Sequence, residues 1–85
     1  MDRSLSSKDR IREFVQRYAQ ERGVSTVGDG ESLIQNGVVD SLGIFKLVAF
    51  LEETFSIRIP DEEIVFENLE SVDRIEKFVN AKLRR

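Results

Sequence analysis

The chain has 85 residues, 40% of them hydrophobic, a net charge of -3, and neither cysteine nor histidine. That length suits one small domain over residues 1–85, with a single modest core near the lower limit for independent stability. The composition excludes disulfides, thiolate nucleophiles, thiolate or imidazole metal sites and Ser-His-Asp triads, so any thiol chemistry needs a sulfur brought by a cofactor.

The charges are unevenly spread. Through Arg22 the bases Arg3, Lys8, Arg10, Arg12, Arg17 and Arg22 outnumber the acids. Between Glu52 and Glu76 the balance inverts, with Arg58 and Arg74 facing a run of acids that includes Glu53, Asp61, Glu62, Glu63 and Glu67. Such a stretch disfavours nucleic acid and steers basic partners toward it, or serves as a solvated face. No apolar leader core or bilayer-length apolar run is visible, so the expectation is a soluble, most simply cytoplasmic protein without membrane insertion. A monomer is also expected.

In chain order, Ile11, Phe14, Val15, Tyr18 and Ala19 recur at helical spacing, with Ser6 or Ser7 as N-cap and Gly23 as a stop. Residues 24–39 hold Gly28, Gly30 and Gly37 without a sustained period, and Leu33 and Ile34 are the candidates to pin this long loop to the core. A second helix is predicted from about Ser41 to Phe55, with Ile44, Leu47, Val48, Leu51 and Phe55 on its core face. Roughly opposite lie Leu42, Phe45 and Ala49, an apolar patch with no place in the same core and so a candidate docking surface. Pro60 fits the first turn of a short third helix over about 61–66, whose acids complement its positive start. Ser71 then caps a last helix with Val72, Ile75, Phe78, Val79 and Leu83 on one side and Lys82, Arg84 and Arg85 at its negative end. The expected fold is all-α: three longer helices, a short third helix and a long loop between the first two. The ordered core spans about 7–83, and residues 1–5 are expected to fray.

The motif that carries chemistry is Asn36-Gly37-Val38-Val39-Asp40-Ser41-Leu42. It sets one serine hydroxyl at the start of an apolar helix, where free backbone N–H groups and the positive dipole end favour an anion. This is the pattern of an attachment site. The same Asp40 and Ser41 also serve simply as helix caps in a protein-interaction module, which is the competing reading. A serine hydrolase has no histidine to activate Ser41, and a nucleic-acid-binding domain would have to take its basic stripe from the first helix alone.

With Asp40-Ser41-Leu42 opening the second helix and Ile59-Pro60-Asp61-Glu62-Glu63 following it, the chain resembles the acyl and peptidyl carrier protein family over nearly its whole length. The resemblance implies a four-helix carrier bundle whose Ser41 receives 4'-phosphopantetheine from coenzyme A, through a phosphodiester made by a magnesium-dependent phosphopantetheinyl transferase. Asp40 matches the motif aspartate, which helps to position the serine and the transferase's metal. The protein then carries an acyl or aminoacyl group as a thioester and has no catalytic residue of its own. Its implied partners are the transferase, an acyl- or amino-acid-activating ligase and a downstream acyltransferase or synthase. The implied docking face joins Leu42, Phe45 and Ala49 to Ile64 on the third helix, with Glu52, Glu53, Glu62 and Glu63 around it; core packing is the alternative for Ile64.

Within the family, the motif is closer to D-alanyl carrier proteins and free-standing aminoacyl carriers than to fatty-acid carriers. Fatty-acid carriers usually place acids early in the second helix, where this chain has Gly43 and Lys46. Phe45 and Phe50 enlarge that helix, and such bulky rings are candidates to fill the cavity that a long acyl chain needs, with plain core packing the commoner role for Phe50. The expected cargo is therefore small and lies outside primary fatty-acid synthesis.

Overall fold

The computed structural model describes residues 6–24 and 27–84. Four helices form among them, with no strand: α1 (Ser7–Glu21), α2 (Ser41–Phe55), α3 (Phe66–Leu69) and α4 (Val72–Leu83). The expected fraying of residues 1–5 and the placement of Arg85 lie outside the described residues.

Each long helix begins on a side chain that satisfies an orphan backbone donor. Ser6 Oγ accepts from Asp9 N at 3.1 Å while the Asp9 carboxylate accepts from Ser6 N at 3.4 Å, a reciprocal capping box. Asp40 caps α2 and Ser71 caps α4, the latter accepting from Arg74 N at 3.2 Å. Helix α1 stops at Gly23, whose φ of 84° admits the left-handed turn. Val24 N donates to Ala19 O and Gly23 N to Gln20 O, the paired bonds of a Schellman ending.

Helix α4 packs against α1, α2 and α3 and forms the centre of the bundle. Its buried Val72, Ile75 and Val79 meet Ile11, Val15 and Ala19 of α1 and Leu47 and Leu51 of α2 in one apolar cluster. Phe14 and Phe50 stack with centroids 4.3 Å apart and join α1 to α2 at the edge of that cluster. Leu83, expected on the core side, is instead 48% exposed, because α4 ends there and the bundle has no neighbour to cover it.

The long connection between α1 and α2 is held at several points. Leu33 is fully buried; its N–H donates to Glu70 O, and its carbonyl accepts from Val38 N and Val39 N. Arg12 grips Asp29 through two parallel bonds, Nε to Oδ1 at 3.0 Å and Nη2 to Oδ2 at 2.7 Å. Asp29 O also accepts from Asp73 N, and Lys8 pairs with Asp73 at 2.9 Å, so the loop is tied to both α1 and α4. The Arg12 bond holds the Asp29 carboxyl below its ordinary pKa. Ile34 does not share the anchoring expected of it. The turn over 32–37 sends Leu33 inward and leaves Ile34 37% exposed.

The short third helix departs from expectation in extent. Pro60 is an N-cap rather than a first-turn residue, Asp61–Glu63 forms one 3-10 turn, and α3 starts only at Phe66. Ile64 and Val65 break the run, Val65 being extended at φ -125° and ψ 158°, as suits adjacent β-branched residues with low helix propensity. Asn68 Nδ2 donates to Glu63 O at 2.9 Å and stitches the two pieces together. Ile64 therefore lies in the break and not on a helix.

Because Leu33 carries the loop into the core, Leu33→Ala is expected to cost about 2–5 kcal/mol of unfolding free energy. Ile34→Ala is expected to change it by less than about 0.5 kcal/mol. Urea denaturation of both variants checks the contrast, and equal losses would contradict this account of the loop.

Candidate functional site

The site is built where the anchored loop turns into α2. Gly37, at φ 75°, takes a conformation that L side chains rarely adopt, and it reverses the chain toward buried Val38 and Val39. Asp40 follows in extended conformation as the N-cap, and Ser41 is the first helical residue. Ser41 is exposed, and its hydroxyl makes no hydrogen bond to a described residue. The backbone N–H groups of the first turn have no intrahelical partner, apart from Gly43 N, which Asp40 satisfies. The serine is thus presented to solvent by a helix start that is already capped.

Asp40 uses both carboxylate oxygens. Oδ1 accepts from Gly43 N at 2.8 Å, and Oδ2 accepts from Arg22 Nη2 at 2.8 Å across the end of α1. The Gly43 bond first, and then the Arg22 charge, hold the Asp40 carboxyl below its ordinary value of 3.8. Arg22 in turn lies over the Tyr18 ring, 5.3 Å from the centroid, with Nη1 donating to the Tyr18 hydroxyl at 3.4 Å. Lys46 approaches the same ring at 5.9 Å.

Gly43 makes this cluster possible. A Cβ there would stand 2.8 Å from the Tyr18 hydroxyl and 3.2 Å from two ring carbons. Tyr18 is buried and stacked near Phe14, so its ring has little room to yield. The absence of an early acid at position 43 thus has a packing cause in this chain.

The remaining residues singled out from sequence separate by environment. Leu42 and Phe45 are 65% and 63% exposed and share with exposed Ala49 one stripe of α2, at the i, i+3 and i+7 spacing. The Phe45 ring thus points away from the core and, contrary to expectation, fills no interior space, whereas Phe50 packs against the core. Ile64 is half-buried against the core, while its neighbours Val65 and Phe66, not singled out from sequence, are exposed. Glu53 and Glu62 are exposed. Glu52 is half-buried and accepts from Ile59 N at 2.9 Å, and Glu63 is paired with Lys82. Spacing and composition give Tyr18 only as a core residue and Arg22 only as one of the bases, and they reveal neither residue's place at the site nor the packing role of Gly43. Eighteen residues separate Arg22 from Asp40, and no spacing rule joins positions so far apart.

Among the described residues no acidic cluster could hold a metal ion, and no helix is long and apolar enough to cross a membrane. The chain is 35% identical over 71 residues to the D-alanyl carrier proteins of Streptococcus pyogenes serotype M5 (strain Manfredo), serotype M49 (strain NZ131) and serotype M1. Those matches cover 84% of this chain and 87% of each relative. No family model matches, and no solved structure matches significantly. A four-helix architecture and this degree of identity over most of both chains establish that the protein belongs to the carrier-protein family that includes the D-alanyl carrier proteins.

Asp40 is charged at neutral pH, and its depressed pKa contributes stability in full above 3.8. That contribution disappears as the pH falls through the lower folded-state value. Asp40→Asn keeps an acceptor for Gly43 N but removes the charge, so its melting temperature is expected to lie below the wild-type value at neutral pH. The two should converge as the pH drops below 3.8. Melting curves across that range check it, and a gap that stays constant would contradict the ion-pair account.

Proposed function

We propose that this protein carries an activated aminoacyl or short acyl group on a 4'-phosphopantetheine arm attached to Ser41, and delivers it to partner enzymes. The observation that supports this most directly is the exposed Ser41 hydroxyl, without a hydrogen bond to any described residue, on a capped helix start in a chain of the carrier-protein family. The residues fit the group. Ser41 offers a primary hydroxyl, the first-turn N–H groups suit a phosphate, and a Cβ built at Gly37 meets nothing within 4 Å. The arm supplies the thiol that the chain lacks and holds the cargo as a thioester.

The chain's own residues do the presenting. Asp40 fixes the first turn through Gly43 N and so sets where the Ser41 hydroxyl stands. No residue acts as general acid or base; a phosphopantetheinyl transferase loads the arm and an amino-acid- or acyl-activating ligase charges it. A downstream acyltransferase or synthase takes the cargo. The arm raises effective concentration by moving cargo between these enzymes without dissociation. The docking face comprises Leu42, Phe45 and Ala49 with Ile64 at its edge and Glu52, Glu53, Glu62 and Glu63 around it, although Glu52 and Glu63 also make contacts within the fold. Residues 1–85 work as one carrier domain, a monomer in the cytoplasm.

Two observations favour small cargo. The relatives are named for D-alanyl, and the Phe50 ring stacks on Phe14 with centroids 4.3 Å apart, occupying part of the space between α1 and α2.

Intact mass after incubation with coenzyme A and a broad-specificity transferase tests the proposal. The wild-type protein is expected to gain the mass of one phosphopantetheine, and Ser41→Ala none. No adduct on the wild type, or an adduct on the alanine variant, would overturn it.

A further inference from the structure

We infer that Arg22 is the counter-charge to the phosphodiester on Ser41, a positioning residue that lets two anions share the start of α2. The inference rests on the carrier reading of Ser41 and assigns a residue outside its motif to the same site.

The argument begins with a conflict of charge. Asp40 and Ser41 are adjacent, so their α-carbons lie about 3.8 Å apart. Asp40 is ionised at neutral pH, and its Oδ1 already occupies one first-turn donor, Gly43 N. Adding a phosphodiester at Ser41 sets a second negative charge beside the first, on side chains largely in water but too close for salt to screen fully. Unless a cation stands by, modification works against the cap that positions the serine.

Arg22 meets this need, and its geometry is built. Its guanidinium bonds Asp40 Oδ2 through Nη2 at 2.8 Å, is held from behind by the Tyr18 hydroxyl at 3.4 Å, and lies over the Tyr18 ring. Those two bonds use two of the five guanidinium N–H donors, leaving three directed elsewhere. The side chain is 36% exposed, so those donors stay open to solvent beside Asp40, the residue next to Ser41. Tyr18 is itself locked by the missing Cβ of Gly43, so the platform under Arg22 belongs to the core and not to a mobile surface. Lys46 touches the same ring but makes no ion pair with a described residue, so it serves as the control.

The full chain made by chemical synthesis with phosphoserine at position 41 tests this independently of any transferase. Phosphoserine is expected to lower the melting temperature of the wild-type sequence slightly, and that of Arg22→Gln by roughly 4 °C or more beyond that, each against its own unphosphorylated form. The difference should shrink in about 1 M salt, where the screening length falls to about 3 Å. Arg22→Lys should recover most of the coupling, and the Arg22 Nε–H resonance of the wild type should shift on phosphorylation. If Arg22→Gln does not fold, the Nε–H shift of the wild type and its weakening in about 1 M salt carry the comparison. Equal falls with and without Arg22, an equally large effect of Lys46→Gln, or an unmoved Nε–H resonance would overturn the inference. A failure of the carrier reading is distinct: the unaltered protein would take no arm from coenzyme A while the coupling between phosphoserine and Arg22 remained.

Discussion

The site depends on how the Asp40 carboxylate divides its two oxygens. One closes the first turn of α2 on Gly43 N, and the other reaches back to Arg22 at the end of α1. A serine or asparagine cap could do the first but brings no charge for the second. With both made, the end of one helix is tied to the start of the next across a long connection. Ser41, one residue on, need not contribute to the capping. Its hydroxyl is therefore free for chemistry without loss to the fold.

That arrangement requires the connection itself to be firm. A loop of this length, left to itself, would let the start of α2 wander relative to α1. Leu33 in the core, the Arg12 fork on Asp29 and the Asp73 N–H on Asp29 O limit this at separate points. The charged contacts are half-exposed and individually weak. Buried Leu33, Val38 and Val39 supply the larger share of the anchoring through their apolar area. Electrostatics here selects the position, and apolar burial holds it.

Much of this was legible in the sequence because it is local. The boundaries of the second and last helices follow from Asp40 and Ser71 as caps and from apolar residues at helical spacing, and the first helix from Ser6 and Gly23. The serine at the helix start was legible for the same reason. What periodicity missed are contacts between distant residues. Arg22 on Asp40, Tyr18 beside Gly43, Glu52 on Ile59 N and Glu63 with Lys82 have no signature within any window of one element. The third segment reads as one helix in the sequence because its acids and Pro60 resemble a helix start. Ile64 and Val65 then impose an extended break that propensity favours but the acids obscured. Ile34 and Leu83 show the same limit from the other side, since an apolar residue next to a buried one is inside only if a neighbour covers it.

Protein isolated from the cell that makes it provides the most direct check that Ser41 is presented for modification. Fragmentation mass spectrometry is predicted to find one phosphopantetheine, borne on the peptide that contains residue 41 and nowhere else. Chains recovered wholly unmodified while other carriers from the same cells bear the arm, or an arm located on a different residue, would contradict the account.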